Sequence, residues 1–246
     1  MIPLRDANPT RRRPVVTIAL IAICVAVFAY ELVVQSSAGD AGLERLVRQY
    51  GLIPGELTAA LGGGGQDALG GQLLSVFSSM FMHGGWIHLI GNMLYLWIFG
   101  NNIEDRLGRL GFLVFYLLGG IAAAVSQVLV GPTSEVPVIG ASGAIAAVLG
   151  AYLVLYPRAR VLSLVFLGFF YQLLHVPAVI VLGLWFVLQL IDGVASLGVT
   201  SSNGGVALFE HIGGFIAGVV VGALIRSVGS PGRPQAARSI DRIGVG

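Results

Sequence analysis

The sequence predicts an all-α membrane protein: one bundle of six transmembrane helices, with a single long connection after the first. Three observations lead there. Only 11% of the 246 residues are charged, against roughly 25% in a soluble domain, which is too few to cover a water-facing surface. The apolar residues make up 56% of the chain and are gathered into blocks, several of which reach the roughly 18 residues that read as a bilayer crossing. The remaining cations, all 14 of them arginine, fall at the ends of the blocks or in the segments that flank and join them.

The first block, 15–34, follows Arg11-Arg12-Arg13 as a signal peptide core would. It is too long for such a core and lacks a small-x-small cleavage site, so it is read as the first span. The other spans run approximately over 86–103, 110–130, 141–156, 176–197 and 206–228. The apolar stretch 161–174, about 14 residues, is short for a crossing and is expected to be interfacial or re-entrant, unless it lengthens the fifth span. The connection from Gln35 to Gly85 holds four consecutive glycines and then a stretch, 72–82, with no clear period. A loop of that length in a bundle is usually functional or mobile. Residues 1–14 are expected to form an N-terminal tail, 15–228 the membrane domain, and 229–246 a disordered C-terminal tail.

Orientation follows from the arginines. With the N-terminus in the cytoplasm, Arg5, Arg11–Arg13, Arg106, Arg109, Arg158, Arg160, Arg226, Arg233, Arg238 and Arg242 all lie inside, 12 of the 14. Only Arg45 and Arg48 lie outside, in the long loop, where the positive-inside rule counts least. Both termini are therefore expected in the cytoplasm of a multi-pass protein, with the bacterial inner (plasma) membrane as its expected location. The net charge is +2 and no basic run interleaves with aromatics, so nucleic acid is excluded as a partner. A lone cysteine, Cys24, sits inside the first block; it excludes an internal disulfide and reads as packing.

Polar groups inside a membrane are costly and call for a reason. The second span is preceded by His83 and carries His88 and Asn92; the fourth opens Gly140-Ala141-Ser142-Gly143; the sixth carries Glu210-His211 followed by Gly214 and Gly218. Spans two, four and six all enter from the same side. His88, Asn92, Ser142 and His211 therefore converge on one layer in the outer half of the membrane. At about 24 Å the fourth span falls short of the roughly 30 Å hydrocarbon core, so its N-terminus should lie below the surface, where exposed N–H groups need protein or a water-filled cavity. Ser142, Ala146 and Gly150 form a stripe of small residues, and His211, Gly214, Gly218 and Gly222 share a helical face. If these stripes meet, as small residues permit, Ser142 and His211 touch. A histidine bonded to a serine hydroxyl can take its proton and make it a nucleophile. An oxyanion site would then be available from the Ser142 N–H and the side chains of His88 and Asn92, four residues apart. The plainer readings are that Ser142 caps the fourth helix, that His211 packs, and that His88 and Asn92 make structural interhelical bonds. Glu104 and Arg106 read as a tie in the loop after span two.

Chance discriminates among these motifs. In a chain this rich in glycine, G-x-S-G is expected about 0.3 times, whereas H-x-x-x-x-H-x-x-x-N is expected about 0.001 times. Together the motifs resemble the rhomboid family of intramembrane serine proteases. The resemblance spans about 72–224 and includes His83, His88 and Asn92, Glu104-Asp105-Arg106, the Gly140–Gly143 box, and His211 with its glycines. It implies a six-helix rhomboid-like bundle with a first loop partly in the membrane. It implies a Ser142–His211 dyad with no acidic third member, an oxyanion site from His88, Asn92 and the Ser142 backbone, and His83 lining the site. No metal or other cofactor is implied, and the implied partners are single-span transmembrane substrates within the lipid bilayer. Inactive relatives lack the serine or the histidine; this chain has both. It departs from the family in two places. Leu74-Ser75 stands where many members have Trp-Arg, and Ala146 stands where some have an aromatic ring stacked on the histidine. Two rival functions use the same residues: a non-catalytic holder of transmembrane segments, and a metal transporter using His83, His88 and His211.

Overall fold

The computed structural model describes residues 1–63, 65–167, 170–197 and 208–228. The expected disordered tail, 229–246, and the first two residues expected in the sixth span lie outside that range. In chain order the elements are β1 (Ile2–Asp6), α1 (Val15–Tyr50), α2 (Pro54–Leu61), α3 (Gln66–Ser78), α4 (Trp86–Tyr95), α5 (Asn101–Val130), α6 (Ser142–Leu155), β2 (Arg160–Leu167), β3 (Phe170–Pro177), α7 (Ala178–Leu197) and α8 (Leu208–Val228). A 3₁₀ turn at Ser79–Phe81 follows α3, and a π-helical turn at Leu96–Gly100 joins α4 to α5.

The fold is mostly helical, and among the described residues three continuous helical stretches are long and apolar enough to cross a membrane: Val15–Tyr50, Trp86–Val130 and Leu208–Val228. The second is two arms. Gly108, at φ 74° and ψ 167°, breaks it where the sequence predicts a turn between spans two and three. A side chain would strain that backbone, which glycine adopts freely. Helix α1 runs past its predicted end at 34, and Gly39 breaks it before it continues to Tyr50.

Helix α6 is the central element. Every residue from Ser142 to Tyr152 is buried, which explains why it shows no amphipathic pattern. Helix α8 lies against it at very short range. A methyl group built on Gly218 would overlap the Ala147 carbonyl, and one on Gly214 would overlap the Gly143 carbonyl. One on Gly222 would stand 3.0 Å from the Ala151 Cα. The glycine face of α8 therefore packs as expected, but against a broader face of α6 that includes Gly143, Ala147 and Ala151 as well as Ala146 and Gly150. Arg226, in the last turn of α8, donates from Nη1 to the Val154 carbonyl at 3.3 Å, serving one of the free carbonyls at the end of α6.

The tie predicted at Glu104 is present, and its form is specific. The carboxylate caps α1 from another helix, accepting from Val16 N at 2.9 Å, Thr17 N at 2.8 Å and Thr17 Oγ1 at 2.8 Å. Helix α1 has no capping side chain of its own. Asp105 extends the tie to the N–H groups of Arg11 and Arg12, at 3.2 and 3.1 Å. Glu104→Ala removes the acceptor of three donors, two of them buried, so a loss of about 2–3 kcal/mol is expected. Thermal unfolding in detergent checks it, with Arg106→Ala near wild type.

Two expectations are corrected. The chain is not all-α, because β1, β2 and β3 form an antiparallel sheet in the order β1-β2-β3. Residues 161–174 are neither a re-entrant helix nor an extension of the fifth span. They belong to a hairpin paired from Arg160↔Pro177 to Leu167↔Phe170. The strands are rich in Val, Leu and Phe, and β-branched and aromatic residues suit an extended backbone. The N-terminal tail is likewise structured: Ile2 to Asp6 pair with β2, and Asp6, Asn8, Asn102 and Tyr152 share hydrogen bonds of 2.7–2.9 Å. Burial raises the Asp6 carboxyl above its ordinary range, against the opposing bond from Tyr152.

Candidate active site

The long first loop holds the segment that leads into α6. Most of it is helical, including 72–82, where no period was read. Leu52 and Val138 exchange backbone bonds of 3.0 and 2.7 Å, and Gly140 N donates to Ser79 O at 2.8 Å. Leu52, Leu57, Val76 and Met80 form a second apolar cluster with Ala124 and Val138. In place of a Trp-Arg pair, the loop is tied by Gln72 Nε2 to Glu56 Oε2 at 2.8 Å and by Ser78 Oγ to Tyr50 O at 2.6 Å.

This support delivers Ser142 as the first residue of α6. The flanking residue is Ala141 and the serine hydroxyl makes no capping bond, so the capping role is not the one it fills. Instead, Ser142 Oγ stands 2.7 Å from His211 Nε2 on α8, and both residues are only 6% exposed. Among the described groups His211 Nδ1 has no partner. A neutral ring with its proton on Nδ1 leaves Nε2 to accept from the serine hydroxyl. Glu210 is buried with its side chain against Gly143 and does not bond the ring.

Gly140 brings His88 to the same point. Its φ of 139° suits glycine, and a methyl there would lie 2.8 Å from His88 Nε2 and Cε1 and 3.4 Å from Ser142 Oγ. His88 Nδ1 accepts from Gly84 N at 3.3 Å, which puts the neutral ring's proton on Nε2, the atom that faces Gly140 and the serine. Asn92, one turn along α4, is buried with Nδ2 unpartnered. His83 is buried behind His88, with ring centroids 5.2 Å apart, its Nδ1 3.2 Å from Phe81 O and its N–H shared by both Glu31 carboxylate oxygens at 3.3 Å.

Two contributors were missed in the sequence. Glu31, within the first span, is buried and its carboxylate accepts from the His83 backbone N–H. Trp185 on α7 supplies the aromatic contact that Ala146 cannot: its ring lies 5.7 Å from that of His211, tilted by 58°, and it is 8% exposed. An apolar tryptophan in an apolar span carries no periodic signal that could have marked it. Aromatic contacts of this kind contribute about 0.5–1.5 kcal/mol. We therefore expect Trp185→Ala to lower kcat roughly 3- to 10-fold, with KM less affected and Trp185→Phe largely retaining the rate. Steady-state kinetics of the two variants check it.

Fold and site together define a multi-helix membrane protein with a buried serine–histidine pair near His88 and near Asn92, whose Nδ2 has no partner among the described residues. The Rhomboid domain model matches residues 70–228, well over half of the chain, and the chain belongs to the rhomboid family. Its relatives include Rhomboid protein 1, mitochondrial, of Saccharomyces cerevisiae, 35% identical over 102 residues, covering 38% of this chain and 28% of the yeast protein. RHOMBOID-like protein 12, mitochondrial, of Arabidopsis thaliana is 28% identical over 172 residues, covering 63% of this chain and 47% of that protein. Rhomboid-like protease 5 of Toxoplasma gondii is 31% identical over 165 residues, covering 64% and 17%. The chain thus spans less than half the length of these relatives. Several are named for mitochondria, so the names lend no support to the expected bacterial inner membrane.

Proposed function

We propose that the protein is an intramembrane serine endopeptidase that cleaves transmembrane segments near one membrane face through Ser142 and His211. The observation that carries this reading is the 2.7 Å approach of Ser142 Oγ to His211 Nε2, two buried residues 69 positions apart in sequence. His211 takes the hydroxyl proton as Ser142 Oγ attacks the scissile carbonyl carbon. The oxyanion receives hydrogen bonds from His88 Nε2, Asn92 Nδ2 and the Ser142 N–H, which has no partner within its helix. The C–N bond breaks as His211 passes its proton to the leaving amine; water then gives a proton to His211 and attacks the acyl carbon, the C–Oγ bond breaks, and His211 returns the proton to Ser142 Oγ.

In this reading the chain crosses the bilayer six times, with the two arms parted at Gly108, the shorter α6 and α7, and both termini on the arginine-rich side. Helix α6, at 14 residues, is only about 21 Å long. Its Ser142 end then lies below the opposite surface, where water can enter a protein-lined cavity. A substrate helix must unwind there, so small, helix-breaking residues near its end favour cleavage.

The test is a purified preparation in bilayer vesicles with a tagged single-span substrate and a fluorophosphonate probe. Cleavage and a covalent adduct on Ser142 are expected, both lost in His211→Ala. Asn92→Ala is expected to lower kcat about 100-fold with KM little changed. Binding of the substrate with neither cleavage nor adduct would favour a holder of transmembrane segments instead.

A further inference from the structure

The sheet formed by β1, β2 and β3 takes no part in the proposed chemistry. Helix α6 begins at Ser142 and ends at Leu155, and β2 starts five residues later. The sheet is therefore at the end of the bundle remote from the serine. Alternate strand residues share a face. Val161 and Ser163 are fully buried against the bundle. The opposite face carries Leu164, Phe166, Tyr171 and Leu173, joined across β1 by Ile2. That face is open, with Tyr171 72% exposed and Leu173 58%. At its bundle end, on the same face, stand the exposed guanidinium groups of Arg5 and Arg160.

We propose that this open face is a shallow lipid-binding surface, seated in the headgroup–acyl boundary of the leaflet opposite the Ser142 end, with Arg5 and Arg160 against anionic headgroups. The sheet is continuous with membrane helices at both ends, since α6 precedes β2 and β3 runs into α7 at Pro177. An apolar face rimmed by arginine and carrying an aromatic with a polar tip is the composition of interfacial elements. The depth follows from the backbone. Eight-residue strands are about 26 Å long, nearly enough to cross the hydrocarbon core. Standing upright, however, β3 would present its unpaired edge to lipid, where nothing satisfies its N–H and C=O groups. Lying flat at the headgroup level leaves that edge to water. Pairing of β3 with a second copy would satisfy the edge but leave the apolar face uncovered, so lipid is the better fit.

The test uses the full-length protein with Cys24→Ala and a nitroxide on Tyr171→Cys, in vesicles of phosphatidylcholine alone or mixed with phosphatidylglycerol. Leu118→Cys on the lipid-facing side of α5 and Thr133→Cys in an exposed turn serve as membrane and water references. The expected result is oxygen uptake with loss of nickel-chelate accessibility at 171 relative to 133. Immersion should be deeper in the anionic vesicles, and Arg5→Gln with Arg160→Gln should abolish that difference. Nickel-chelate accessibility at 171 equal to that at 133 would overturn the proposal. So would spin–spin broadening at 171 that disappears on dilution with unlabelled protein, which would place a second copy on the sheet.

Discussion

Ser142→Ala is expected to lower substrate cleavage by about 10⁴-fold or more while leaving the fold intact. Among the described residues, the Ser142 hydroxyl stands within hydrogen-bond reach of a buried histidine, which in the proposed mechanism relieves it of its proton as it attacks. His211 Nε2 is 2.7 Å away, and the unpaired Nδ2 of Asn92 and the ring of His88 flank the same layer. The substitution removes one oxygen and no capping bond, since the serine side chain makes none. Thermal stability should therefore fall within about 1 kcal/mol of wild type. His211→Ala should cost as much, and the double variant no more than either alone, because groups acting as one unit are not additive. Initial rates in vesicles, with unfolding temperatures for each variant, decide it. A Ser142→Ala protein that still cleaves at a tenth of the normal rate would remove this serine from the chemistry.

Gly218→Val is expected to prevent assembly of the bundle. The clash at this position is with the backbone, the Ala147 carbonyl, so no side chain can rotate away to relieve it. A β-branched group there must push α8 from α6, at a cost of about 3 kcal/mol or more. The same displacement separates His211 from Ser142. Gly91→Ala on α4 is the matched control, because a methyl there meets nothing within 4 Å. Size-exclusion profiles and unfolding in detergent should show Gly218→Val aggregated or strongly destabilised and Gly91→Ala near wild type. A well-folded, active Gly218→Val protein would mean that α6 and α8 are not held at this distance.

Much of this was legible in the sequence for physical reasons. Apolar blocks must be helices in lipid, since no other open segment satisfies its own backbone. Glycines spaced along one face of α8 could only mean close approach, and Gly218 shows what they approach. The serine–histidine pair was legible because both residues lie on faces of small residues at the same end of their spans. The sheet was not. The apolar strands of 160–177 resemble a short buried helix in composition, and their first partner, β1, lies more than 150 residues away. Nor was the real burial of Glu31 and His83, which depends on which residues a loop folds back upon.

By itself, then, the sequence determined the membrane class, the mostly helical bundle and the polar residues that gather in one layer of it. These follow from local hydropathy, spacing and charge, which one segment carries whether or not its neighbours are known. Only the tertiary structure decided how His211 is held. Ala146 carries no ring, and Trp185 from α7 brings one to 5.7 Å from that of His211, an assignment made by the packing of helices rather than by any property of one.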